Sequence, residues 1–218
     1  MIPINATIRT ITAAVISATF ISGCATGSGG SQSTATAQAA ENVAASNTCP
    51  PEANMLADTG FTTLAGGPKR VWGARQHSRG KDFVATAKDG TLTIEKTGHE
   101  PWFVMSQQID RGFSAGTELQ YDATMSFDTY EPKDRHGFGY LSGLHLVGKS
   151  GRRIVVRSMA DHEPNLGEHL EQRLVTQVTI DTDINQIDVG FIHQAGGKFT
   201  VRKPRLINIT RHPECRLP

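Results

Sequence analysis

The sequence predicts an all-β chain, folded as an antiparallel β-sandwich or barrel, and three observations carry that expectation. Apolar and polar residues alternate with period two in segment after segment. Turn-forming pairs such as Asp89-Gly90, Ala115-Gly116 and Gly196-Gly197 punctuate those segments. No segment sustains a helical period, and 22 glycines and 10 prolines among 218 residues suit a loop-rich β protein better than a helical bundle.

Residues 1–23 read as an export signal. Arg9 precedes an apolar stretch from Ile11 to Ile21 that is too short to span a bilayer, which takes about 20 apolar residues. Its end, Ile21-Ser22-Gly23-Cys24, resembles a bacterial lipobox. That resemblance implies that Cys24 is lipid-modified and becomes the first residue after cleavage, with several acyl chains holding the protein to a membrane. Ala25 and Thr26 follow rather than Asp, which by the enterobacterial sorting pattern implies the outer membrane. Residues 24–48 are, apart from Cys24, Glu41 and Val43, all Gly, Ser, Thr, Ala, Gln and Asn with little to bury, so a flexible tether is expected, reaching roughly 25–30 Å.

The body is residues 49–218. Its clearest strand lies in Thr117–Asp128, where Leu119, Tyr121, Ala123, Met125 and Phe127 alternate with polar residues, so that one face is buried and the other is wet. Further strands are expected at Thr91–Lys96, Trp102–Ile109, Gly139–Val147, Arg153–Ser158, Leu174–Ile180, Gln186–His193 and Phe199–Ile209. Gly167–Leu174 is read as a helical turn or two. Of the 3 cysteines, Cys49 and Cys215 remain once Cys24 is lipidated, and an exported, oxidising setting favours their pairing. They bracket the body, so the bridge requires its two ends to lie side by side.

Three stretches then resemble carbohydrate-binding modules of the galactose-binding-like, jelly-roll kind. They are Asp89-Gly-Thr-Leu-Thr-Ile-Glu, the Trp102 strand ending in Gln107 and Ile109, and Ala115-Gly-Thr-Glu-Leu-Gln-Tyr-Asp-Ala-Thr-Met-Ser-Phe. Ile187-Asp-Val-Gly-Phe-Ile with Gly196-Gly-Lys-Phe-Thr-Val is similar to the closing hairpin of these modules, and Asn54–Phe61 to their opening segment. The resemblance implies a jelly roll with paired opening and closing strands, which would bring Cys49 to Cys215. Val201-Arg-Lys-Pro-Arg-Leu departs from the pattern by lacking an acid before the last strand, so no structural Ca²⁺ and no other cofactor is expected.

Sugar recognition uses flat aromatic surfaces and planar polar side chains. If Phe103, Met105, Gln107 and Ile109 face inward, then Trp102, Val104, Ser106 and Gln108 face outward, which makes Trp102 and Gln108 candidate ligand contacts. Trp72 sits in a loop-like stretch and is a second aromatic candidate. The connection Asp128–Tyr140 adds Tyr130, Arg135, His136 and Tyr140 as a candidate rim. The loop Ser158–Leu170 is rich in Asp, His and Glu but lacks a metal-ligand spacing, so no metal is assigned.

With 22 Lys+Arg against 21 Asp+Glu, and Arg9 lost with the signal, the mature chain is formally neutral and not a nucleic-acid platform. No His-Glu-x-x-His metalloprotease signature occurs, and catalysis is not expected. The sequence thus points to a tethered, non-catalytic glycan-binding sandwich. Its rivals are a structural or protein-interaction lipoprotein docking an envelope partner, and a hydrolase or lyase of envelope polysaccharide.

Overall fold

The alternation that begins at Glu118 becomes a strand with Leu119, Tyr121, Ala123, Met125 and Phe127 all turned into the core. The computed structural model describes residues 49–65, 70–77, 81–132, 141–161 and 166–218. Its strands are β1 (Gly73–Gln76), β2 (Phe83–Lys88), β3 (Thr91–Lys96), β4 (Phe103–Ile109), β5 (Glu118–Tyr130), β6 (Ser142–Ser150), β7 (Arg153–Asp161), β8 (Gly167–Thr179), β9 (Gln186–His193) and β10 (Gly196–Asn208). They build two five-stranded sheets, ordered β1-β4-β9-β6-β7 and β2-β3-β10-β5-β8, stacked as an antiparallel jelly-roll sandwich. The expected fold class is the observed one. The signal segment 1–23, the tether and Cys24 lie outside the described residues.

Local chemistry sets the registers. Lys88 pairs with Thr91, leaving Asp89-Gly90 as a two-residue turn with φ of 49° and 72°. Positive φ at both positions is the turn whose twist matches flanking strands, and an Asp-Gly pair adopts it readily. The inner faces then merge into one cluster, in which Tyr121 and Phe127 from one sheet meet Met105, Leu144 and Phe191 from the other.

Three readings are corrected. β1 and β2 are strands that the apolar pattern does not announce. Gly167–Leu174 is not helical: it opens β8 and pairs with β5 from Thr129 to Ala123. Trp72 is 0% exposed and therefore is not a ligand platform. It packs 5.3 Å from Phe61 and 5.5 Å from Phe191, ring centre to ring centre, and its Nε1–H donates to the Asp58 carbonyl at 3.0 Å. The same loop is fixed again by the Asp58 carboxylate, which accepts bonds from the backbone and hydroxyl of Thr62 and Thr63 at 2.6–2.8 Å.

The two ends of the body do lie together. Cys49 and Cys215 are disulfide-bonded with Cα atoms 4.6 Å apart, beside a small apolar cluster of Ala53, Ile207 and Ile209 on the outside of the β10 sheet. The Asn54 carboxamide stitches this segment to β10, donating to the Pro204 carbonyl at 3.1 Å and accepting from the Leu206 amide at 3.0 Å. Gln107 does the same for β4, exchanging two 2.8 Å bonds with the backbone of Ala57. The C-terminal chain lies over the same sheet, with the Leu217 amide bonded to Gln120. The termini thus occupy part of one outer face, that of the β10 sheet.

One buried group makes stability depend on pH. His193 is fully buried, hydrogen-bonded through Nδ1 to the Ser142 hydroxyl at 2.8 Å and through Nε2 to the Gly197 carbonyl at 3.1 Å. Burial pushes its pKa down from 6.5 to about 4, against the Gly197 bond that favours the proton. Between those values the unfolded chain binds a proton that the folded chain refuses, so stability is complete above pH 6.5 and falls as the solution is acidified. The expected slope from this residue is about 1.4 kcal/mol per pH unit. Urea unfolding at several pH values between 7 and 4.5 should show that slope, and His193→Gln should flatten it.

A cleft on the outer face of the β4 sheet

β4 places Phe103, Met105 and Gln107 inside and Trp102, Ser106 and Gln108 outside, as its alternation predicts. Register carries the outward row across the sheet. Ser106 stands beside Gly190 of β9, which stands beside His145 of β6, which stands beside Met159 of β7. In the neighbouring rows Arg75 of β1 pairs with Val104, while Asp188 pairs with Val147 and Val147 with Arg157.

Gly190 lets β9 and β4 approach closely in this row. A Cβ built there would lie 1.9 Å from the Met105 carbonyl oxygen, a backbone atom that cannot step aside, so β9 can carry no side chain at this point. Gly190 is thus bare backbone between Ser106 and His145 in this row. On the same face opens a cleft of about 260 Å³, walled by Trp102, Val104 and Arg75 on one side and by Val147, Ile154 and Arg157 on the other. His145, Lys149 and Asp188 complete its polar lining.

The electrostatics are unusual for a near-neutral chain. The Asp188 carboxylate is almost wholly buried and is paired with Lys149. His145 has its pKa lowered, first by burial and then by the charges of Arg157 and Arg75. A neutral imidazole is thus favoured, and its Nδ1 is buried without a hydrogen-bond partner. A half-buried indole, two guanidinium groups and an imidazole nitrogen converge here. This arrangement can stack a flat apolar ring face and hydrogen-bond polar groups on its rim.

The sequence candidates are dispersed differently from what was expected. Trp102 lines the cleft, with His77 packed edge-on 6.3 Å away. Gln108 shares its face but is exposed and bonded at 2.8 Å to Asp110; its cross-strand neighbour Asp188 is the one that reaches the cleft. Tyr130, 59% exposed, belongs to a separate pocket of about 340 Å³ with Lys96, His99 and Pro132, where its ring lies over Gly196. Trp72 is in the core, as described. Arg135, His136 and Tyr140 lie outside the described residues. No three His, Cys, Asp or Glu side chains among the described residues gather in a metal-binding cluster. Sequence reading missed Arg75, His145, Lys149, Arg157 and Asp188. For His145 a signal was present, a histidine at the outward position between Leu144 and Leu146.

No protein-family model matches the sequence, and no curated protein does either. Among solved structures, the enzymatically active domain of tailspike protein 4 from bacteriophage CBA120 aligns with a TM-score of 0.54 at 9% identity, over 72% of this chain and 22% of that one. The CBM22-1–GH10 modules of a Clostridium thermocellum xylanase align at 0.43 and 11% identity, over 63% and 26% of the two chains. The CBM22-1 xylan-binding domain of Paenibacillus barcinonensis Xyn10C aligns at 0.42 and 11% identity, over 65% and 88%. The tailspike likeness shows a common fold. This chain spans well under half the length of the first two.

Proposed function

We propose that this protein is a bacterial cell-envelope lipoprotein, tethered through lipid on Cys24 to the outer membrane, whose β-sandwich binds a glycan without turning it over. The observation that carries the reading is the placement of Trp102 in one cleft with Arg75, His145, Lys149, Arg157 and Asp188, so that an aromatic face and hydrogen-bonding groups line the same space. An indole offers a pyranose ring its flat apolar face, and guanidinium and imidazole groups suit hydroxyls around the ring. Binding without turnover is supported by the acid content of the cleft. Asp188 is its one carboxylate among the described residues and is tied to Lys149, whereas glycoside hydrolysis uses two carboxyl groups about 5–10 Å apart.

The test is a glycan array probed with the purified full chain and with Trp102→Ala. Truncating a tryptophan anchor costs about 2 kcal/mol or more, so affinity should drop roughly thirtyfold. No retained glycan, or unchanged retention by the variant, would overturn the reading. A second reading, docking of an envelope protein on β8, is favoured by Leu170, which is 65% exposed. A stoichiometric partner lost on Leu170→Ser, with Trp102→Ala silent, would support it instead.

A further inference from the structure

The charge of the cleft goes beyond what a neutral sugar needs. Arg75 and Arg157 stand on the two edge strands of the sheet, β1 and β7, yet both line the same cleft. Between them lie Val104, His145, Val147 and Asp188, which line the cleft, and in the row of His145 stand the short Ser106 and the bare Gly190. Two long guanidinium side chains therefore reach one cleft from its opposite banks. Both lower the proton affinity of His145, after burial, as expected of cations lining the same cleft as its imidazole.

The remaining charges do not cancel these two. Asp188 and Lys149 neutralise each other, and among the described residues neither Arg75 nor Arg157 has a carboxylate partner. The whole chain carries a formal charge of only +1, so this concentration is local and not a reflection of a basic protein. Two guanidinium forks that remain unpaired in a partly enclosed cleft are suited to bidentate capture of an oxyanion.

Resting on the reading of the cleft as a glycan site, we propose that its ligand is an acidic saccharide, with a carboxylate or phosphate group held between Arg75 and Arg157 while a sugar ring lies against Trp102. Two matched pairs of probes test this on the full chain. Polygalacturonate is compared with fully methyl-esterified pectin, and phosphomannan with its dephosphorylated mannan. Within each pair the ring and linkage are the same and only the charge differs.

The expected result is retention of at least one acidic member at least tenfold more tightly than its neutral twin, with affinity falling as NaCl rises. Arg75→Gln and Arg157→Gln should each weaken that binding roughly tenfold or more, as loss of a charge-assisted hydrogen bond does, while leaving the thermal midpoint unchanged because both side chains are exposed. The pair that responds identifies the acidic group as carboxylate or phosphate. Equal or tighter binding of the neutral twins, unaffected by the arginine variants but abolished by Trp102→Ala, would overturn the acidic inference and leave the glycan-binding reading standing. Failure to retain any glycan on the array would remove both.

Discussion

Replacing Cys49 and Cys215 together with serine is expected to lower the free energy of unfolding by about 5 kcal/mol, in the chain-entropy picture of a cross-link that closes so long a loop. The bridge joins residues 166 apart and so ties one end of the body to the other. In the folded protein the two half-cystines sit against Ala53, Ile207 and Ile209, positioned by Asn54 and by the C-terminal turn. Those contacts persist without the sulfur bond. The unfolded chain changes more, because without the bridge its ends separate freely. A domain of ordinary stability has about 5–15 kcal/mol in hand, so this loss would remove a third or more of it. Guanidinium unfolding of oxidised, reduced and doubly substituted protein checks the point, and the last two midpoints should coincide well below the first. The glycan retention proposed above should survive the change in native buffer, because the cleft lies on the other sheet. Coincidence of all three midpoints would mean that the ends are held by Asn54 and its neighbours alone.

The strands missed, β1 and β2, are both edges, whereas the mid-sheet strands and, in part, the edges β7 and β8 were legible in the sequence. β5 declares itself because each of its alternate residues from Leu119 to Phe127 fills the core, although of the polar residues between them Gln120 and Asp122 are buried too, under the C-terminal chain and two arginines. β2 buries only Phe83 and leaves Val84, Thr86, Ala87 and Lys88 exposed, so the physical cause of alternation is missing. β1 is four residues long and buries none of them. Leu170 and Leu174 imitate a helical stripe at the start of β8. There the decisive force is ladder pairing with β5, which accommodates Glu171 at a φ of 55° and leaves Leu170 in solvent.

The site was legible to the same degree. Trp102 could be placed outward by counting twos along β4, since period and burial agree there. Trp72 could not be placed, because its burial depends on Asp58 and Phe61 folding back over it, a contact between loops with no period. Arg75 and Arg157 are separated by three intervening strands of the sheet, so only topology brings them to one cleft.

Asp122→Ala should be the most damaging single change on the outer face of the β10 sheet. Alternation assigns Asp122 to the polar side of β5, yet the residue is 0% exposed. Its roof is ionic. Arg205 reaches it through Nε at 3.1 Å and Nη2 at 3.2 Å, Arg173 joins from β8, and the Gln120 amide donates at 3.1 Å. A bulge makes this possible. Arg202 pairs with Thr124, and an uninterrupted ladder would set Pro204 opposite Asp122. The extra residue, Lys203 at a φ of 50°, shifts Arg205 into that place. Both arginines have their pKa lowered by burial, and Arg173 further by Arg205, so each is costly to leave without its acid. Removing Asp122 abandons two partly desolvated cations side by side, a change that costs about 3–5 kcal/mol. By contrast, Arg202→Ala breaks only the exposed pair with Glu171 and should cost less than about 1 kcal/mol. If the loss in Asp122→Ala comes from stranded charge and not from lost packing, then Asp122→Leu combined with Arg173→Met and Arg205→Met should regain most of it. Urea midpoints of the single and triple variants decide the matter, and a triple variant no more stable than Asp122→Ala would place the effect in packing.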